Sequence, residues 1–350
     1  MKKTSSKEEK MEAHNSIKRF IVGIFISMMP LVLFAQDIEA KPQGIERLRS
    51  QIDRVIRGEN ENFGIAIKHL ESGQELQING DTYFPMASVF KVPVVVEVMA
   101  QIKEGRFSLD DEISIQKPDL HLGSGMLSDL DVPGIKLSVR NLINMMLKIS
   151  DNSATDILVT KVGPENVNNR LRSIGIENMT VNRTCQDLIL EAIGLNPENY
   201  RGLSLEDVHK TRRKEMAENP DAFEEATKKF SQVLKDQSTP LAMNMLLEKI
   251  FTKEILDDPS CEHILSVLLK CQTGLRRIRG DLPSGVNLAH KTGTIGGTVN
   301  DVGIIYLPDD LGHVVLTIFT KDTEDDTSDV EDLIAQISRF VYDYFYFTVE

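Results

Sequence analysis

Ser88 and Lys91 place a hydroxyl and an amine three residues apart in SVFK, at the start of an apolar helical run. Three residues is close to one helical turn, so both groups leave the same face and the amine can take the hydroxyl proton. That pairing is the minimum equipment of an activated serine nucleophile. A lysine acts directly as a base only when neutral, a form favoured by burial or by a second nearby cation. The same spacing recurs in Ser114 to Lys117, but there it precedes Pro118 in a loop or strand end, and the reading is structural. Two further groups follow in order, Ser150-Asp151-Asn152 and Lys291-Thr292-Gly293-Thr294. They bring a second hydroxyl, an amide and a second amine. Asp151, inside its triplet, suits bracing the loop better than moving a proton.

These residues need a scaffold assembled from distant parts of the chain. Ile45, Leu48, Ile52, Val55 and Ile56 recur at helical spacing, and Phe63 to Leu70 and Glu75 to Asn79 read as strands joined by a turn at Glu71 to Gln74. From Phe84 to about Leu275 the pattern is predominantly helical. Ser138 stands as a cap before VRNLINMMLK, and a second helix follows Asn152. Strand signals return at Val286 to Thr292, Val299 to Leu307 and His313 to Thr320, before an amphipathic helix over Val330 to Phe345. The expected class is α+β: an antiparallel sheet flanked by helices, built from 43–83 and 276–347, with a helical subdomain inserted over 84–275. Residues 196–237 form a polar elaboration. Ser204 with Asp207 resembles a capping box, Pro220 acts as a stop and Asp221 opens another polar helix. Mixed-sign charge there describes a solvated surface, with a partner-binding role as the alternative.

Composition narrows the function. Hydrophobic residues make up 41% and charged residues 27%, as in globular proteins. Residues 36–350 carry 34 basic and 50 acidic side chains, a net of −16, which excludes a nucleic-acid partner on electrostatic grounds. Cys185, Cys261 and Cys271 match no metal-ligand spacing, so neither a metal site nor a disulfide framework is expected. Residues 20–35 form an uncharged apolar run of 16 residues directly after Lys18 and Arg19. This is the layout of a signal peptide, 1–35, with Ala35 as the cleavage point. It is short for a span needing about 20 apolar residues. If left uncleaved, it would be the only membrane contact, as an anchor. Both outcomes export the remainder to the periplasm or the extracellular space.

The order S-x-x-K, S-D-N, K-T-G resembles class A β-lactamases and the related penicillin-binding D,D-peptidases over most of residues 43–347. Phe84 to Lys91, Ser238-Thr239-Pro240, Thr273-Gly274 with Arg276 to Arg279, and Ala289 to Thr294 carry the same likeness. The resemblance implies a β-lactamase/transpeptidase-like fold with its site in the cleft between sheet and helical parts. It makes Ser88 the acylated nucleophile and Lys91 its base or relay. Ser150 would pass a proton to the departing ring nitrogen, and Asn152 would hold the substrate amide. Lys291 and Thr292 would take the substrate carboxylate. The backbone N–H groups of Ser88 and Thr294 would form the oxyanion hole. No cofactor is implied. The partner would be a small β-lactam or a peptidoglycan stem peptide, met by a monomer.

One segment departs from the family. Its E-x-x-L-N loop carries the glutamate that activates water against the acyl-enzyme, and matching Glu191-Ala192-Ile193 to the sequence after that loop puts Gln186 at the glutamate and Leu190 at the asparagine. A glutamine cannot accept the proton. Asp187 and Glu191 are the carboxylates that would replace it if the loop is rerouted. Three functions follow: a β-lactamase with slow deacylation, a D,D-peptidase using another route, or a wall-associated protein that binds or senses β-lactams with negligible turnover.

Overall fold

The computed structural model of the chain describes residues 44–348, so the signal segment read over 1–35 lies outside the described residues. Strands β1 (Phe63–His69), β2 (Glu75–Ile78), β3 (Asn287–Ile295), β4 (Thr298–Tyr306) and β5 (His313–Thr320) form one five-stranded antiparallel sheet in the order β2-β1-β5-β4-β3. Sequence-distant segments meet where β1 pairs with β5 from Phe63 opposite Thr320 to His69 opposite Val314.

Alternation along the strands serves two cores. Val314, Leu316 and Ile318 of β5 join one cluster while Val315 and Phe319 join the other. Because both faces are covered, the strand reads as nearly continuous β-branched sequence. Helices α1 (Ile45–Val55) and α11 (Thr327–Thr348) cover the first face. Val330, Ile334, Ile337, Val341 and Phe345 supply the buried stripe of α11 at helical spacing.

The helical part covers the second face. It comprises α2 (Lys91–Lys103), α3 (Val139–Lys148), α4 (Asn152–Val162), α5 (Pro164–Ser173), α6 (Cys185–Ala192), α7 (Leu205–Glu218), α8 (Pro220–Lys229), α9 (Pro240–Phe251) and α10 (Asp258–Leu268). Every residue of α2 from Lys91 to Gln101 is buried, which makes it the axis of this part. Its charged Glu97 is compensated by Arg170 at 2.9 Å. The expected Ser138 cap forms, accepting from Asn141 N on α3, and Asp151, not read as a cap from sequence, accepts from Ala154 N to cap α4. Helix α6 lies where the family resemblance implies a loop. Two short ribbons, Phe84–Pro85 with Gln237–Ser238 and Glu112–Ser114 with Lys136–Ser138, leave too short a periodicity to see in sequence.

The 196–237 elaboration is mostly solvated, as its charge pattern predicts, yet it also supports α6. Tyr200 and Val208 pack against Leu190, and Phe230 packs against Leu188 and Ala192. Among the described residues no helix is long and apolar enough to cross a membrane.

Candidate active site

Ser88 sits on a single 3-10 turn, Ala87–Phe90, that runs directly into α2, so Lys91 is that helix's first residue. Ser150 occupies the break between α3 and α4. The two flanking backbones are strained, with Ala87 at φ 46° and Ser150 at φ 59°. Such non-glycine positions typically cost about 1–3 kcal/mol each and persist where the surroundings fix them. Asp151 does much of that fixing. Its carboxylate caps α4 at 2.9 Å and accepts from Met126 N and Leu127 N at 2.7 and 2.8 Å, the bracing role expected of it.

Strand β3 closes the site from the other side. Gly293 lies so near the Ser88 turn that a Cβ there would stand 2.6 Å from Met86 O and 2.9 Å from Ser88 N. Only glycine permits that approach. It brings Thr292 and Thr294 to the same opening, a cleft of about 310 Å³ lined by Ser88, Ser150, Asn152, Thr292 and Thr294 among others.

The two lysines lie beneath the cleft, both fully buried. Lys91 Nζ donates to Ser150 O at 2.7 Å and Asn152 Oδ1 at 2.8 Å, and lies 3.1 Å from Ser150 Oγ. Lys291 Nζ reaches the same Oγ from the opposite side at 3.0 Å and donates to Thr292 O at 2.7 Å. One hydroxyl therefore bridges two amines. Burial pushes the Lys91 amine below its ordinary range, although Cys185, Asp156 and Asp151 act against this. Burial, followed by the repulsion of Lys91, lowers Lys291 to about 7. Two adjacent buried ammonium groups repel, so the site favours one of them neutral.

Two cleft residues had no role assigned from sequence. Arg277 is buried, donates to Gly293 O, Asn300 O and Thr294 Oγ1 at 3.0, 2.8 and 2.6 Å, and is paired with Glu331 at 3.0 Å. It holds the exposed end of β3 and adds a cation to the cleft wall. Thr273 bonds Thr292 hydroxyl to hydroxyl at 2.6 Å.

The deacylation position differs from the sequence expectation. Gln186 does not line the cleft; Cys185 does. Arg183 is clamped by Asp236 at 2.5 Å and Glu191 at 2.7 Å, while Thr184 caps α6 through Asp187 N at 3.1 Å. The buried Asp156 carboxylate then accepts from Cys185 N and Gln186 N at 2.5 and 3.0 Å. With the helix entrance pinned, consecutive side chains point about 100° apart. Cys185 turns toward Lys91, and Gln186 turns into the protein, where its Oε1 has no hydrogen-bond partner. Burial and the neighbouring Asp156 push the Cys185 thiol well above its ordinary range, so it is a neutral thiol and no base.

The two carboxylates held in reserve are engaged elsewhere. Asp187 forms a bidentate pair with Arg201 at 2.7 and 3.1 Å. Glu191 is paired with Arg183 and Lys235, and these cations outweigh burial and hold it below its usual range. Among the described residues no carboxylate lines the cleft. The arrangement is equipped to form an ester at a serine and lacks an evident base to hydrolyse it.

Comparison with known proteins agrees with this geometry. A model of the β-lactamase enzyme family matches residues 47–345. The chain is 26% identical over 330 residues to β-lactamase VEB-1 of Pseudomonas aeruginosa, covering 91% of this chain and 97% of that protein. A crystal structure of a β-lactamase from Chitinophaga pinensis aligns with TM-score 0.67 at 29% identity, over 85% of this chain and 98% of that one. A mutant of PBP-A, solved as an acyl-enzyme complex with penicillin G, aligns with TM-score 0.67 at 25% identity, over 87% and 97% of the respective chains.

Proposed function

The chain belongs to the β-lactamase enzyme family, and from that premise we propose that it opens β-lactam rings through an ester at Ser88 and releases the product slowly. Ser88 Oγ attacks the lactam carbonyl carbon and the ring C–N bond breaks. The buried, depressed Lys91 draws off the hydroxyl proton, and Ser150, bonded to both amines, is the path by which a proton reaches the ring nitrogen. Lys291, Thr292 and Arg277 present positive charge and donors to the substrate carboxylate, and Asn152 holds the side-chain amide. The N–H groups of Ser88 and Thr294 receive the oxyanion.

The observation that carries slow release is the cleft lining without a carboxylate, Cys185 standing where a base is needed. The same observation favours a second reading, a β-lactam-binding or sensing protein that is acylated and turns over negligibly. A peptidoglycan D,D-peptidase would use the same nucleophile on a different amide. Export of a monomer with its first 35 residues removed is part of the proposal.

Incubation with benzylpenicillin followed by intact-mass measurement tests acylation. The protein should gain the whole mass of the drug, because ring opening loses no atoms, and Ser88→Ala should gain nothing. Labelling that persists in the alanine variant overturns the assignment of Ser88.

A further inference from the structure

Behind the cleft, on the face of β3 that carries Thr292, lies a second set of reactive groups that ring opening does not use. His290 and Thr292 share one face of β3, and their register partners on β4 are Gly303 and Asp301. A Cβ at Gly303 would fall 2.6 Å from the His290 Cβ, so the glycine makes room for the imidazole. The ring is 1% exposed, and its Nδ1 bonds the fully buried Asp301 carboxylate at 2.9 and 3.1 Å. Its other nitrogen, Nε2, is buried without a hydrogen-bond partner. An unsatisfied polar atom in such a place costs stability and calls for an explanation.

The segment after α10 supplies one. Thr273 is bonded to Thr292, and Cys271, two residues before Thr273, has its Sγ 3.3 Å from Thr273 Oγ1 and interacts with His290. Cys271 is half-buried, unlike the buried Cys185 and Cys261. We propose that Cys271, His290 and Asp301 form a thiol–imidazole–carboxylate site that reacts with hydroperoxides, Cys271 being oxidised to a sulfenic acid.

The step balances within the site. The Cys271 sulfur attacks the distal peroxide oxygen, an S–O bond forms and the O–O bond breaks. Sulfur is oxidised and the peroxide reduced, and His290 Nε2–H gives its proton to the departing hydroxide or alkoxide. Asp301 holds the ring in the orientation that presents Nε2. The charge states support this. Burial opposes thiolate formation, but His290 outweighs it and brings Cys271 to about 7. Burial likewise opposes the imidazolium, yet Asp301 and Cys271 raise His290 to about 10.

The full chain, free of β-lactam, is treated with hydrogen peroxide and dimedone, and each cysteine-containing peptide is followed by mass spectrometry. Cys271 should be labelled at least tenfold faster than Cys185 or Cys261, and His290→Asn should slow it at least tenfold. A second measurement needs no variant: the iodoacetamide alkylation rate of Cys271 against pH. A thiol titrating near 7 is about 15-fold richer in thiolate at neutral pH than one at about 8.5, of which lower nucleophilicity removes about fivefold. Cys271 should therefore react about threefold faster than free cysteine at pH 7, with its midpoint near 7. Equal labelling of the three cysteines, an unchanged rate in folded His290→Asn, or a midpoint at or above that of free cysteine overturns the proposal. None of these readouts involves Ser88 or penicillin.

Discussion

Replacing Cys185 by glutamate supplies what the cleft lacks. Cys185 is 3% exposed, lines the cleft and interacts with Lys91, so a carboxylate there would stand beside that amine and within reach of a water attacking the ester. A positioned general base contributes roughly 10²–10⁴-fold in rate. Two features reduce the gain. Asp156 accepts from the Cys185 backbone and would repel the new charge, and Ile189, the cleft-lining residue four positions on, offers no amide to position water. The longer side chain also enters a packed site, at about 1–3 kcal/mol of overpacking. The expected net effect is a 10- to 100-fold faster loss of the penicillin adduct, about 1.4–2.7 kcal/mol of barrier. The assay is the decay of adduct mass after excess penicillin is removed, in the parent, Cys185→Glu, Gln186→Glu, Asp187→Asn and Glu191→Gln. Gln186→Glu should change the lifetime less than twofold, because that side chain points away from the cleft. Faster decay in Gln186→Glu with none in Cys185→Glu would refute the reasoning from helix orientation. A parent adduct that turns over rapidly, and stops doing so when Asp187 or Glu191 is neutralised, would refute slow release itself.

Acylation should depend on pH through the pair of amines that share Ser150. Lys291 is charged below about 7 and neutral above it, so penicillin recognition should weaken as pH rises through that value. Lys291→Arg, permanently charged, should flatten this limb of the second-order acylation rate, and a limb unchanged in that variant argues against Lys291 as its source. The Arg183–Asp236 pair, 5% and 1% exposed, anchors the entrance of α6. Arg183→Met leaves a buried carboxylate without its partner and should cost about 3–5 kcal/mol in urea unfolding; a loss under about 1 kcal/mol would show that the pair is dispensable. N-terminal sequencing of exported protein should begin near Gln36, and recovery of the full-length chain from the cytosol contradicts export.

Local and ordered signals made much of this protein legible before any tertiary contact. The strands of β3 to β5 announce themselves through β-branched runs, α11 through its helical stripe, and the start of α3 through the cap residue Ser138. Ser88, Lys91, Ser150, Asn152, Lys291 and Thr292 were found because their spacing and order are rare together, which requires no knowledge of where they meet. Tertiary structure alone decided what depends on direction. Gln186 and Cys185 are neighbours in sequence, and choosing between them needs the rotation of α6, which Asp156 fixes from 29 residues away and Asp236 fixes through Arg183, 53 residues from it. The convergence of two buried lysines on one serine hydroxyl, and their lowered basicity, follows from burial, which a linear pattern does not carry. Arg277 and the Cys271–His290–Asp301 cluster arise the same way, from pairings between β3, β4 and the segment after α10 that join residues 10 to 30 positions apart, and no spacing in the sequence marks those partners as belonging together.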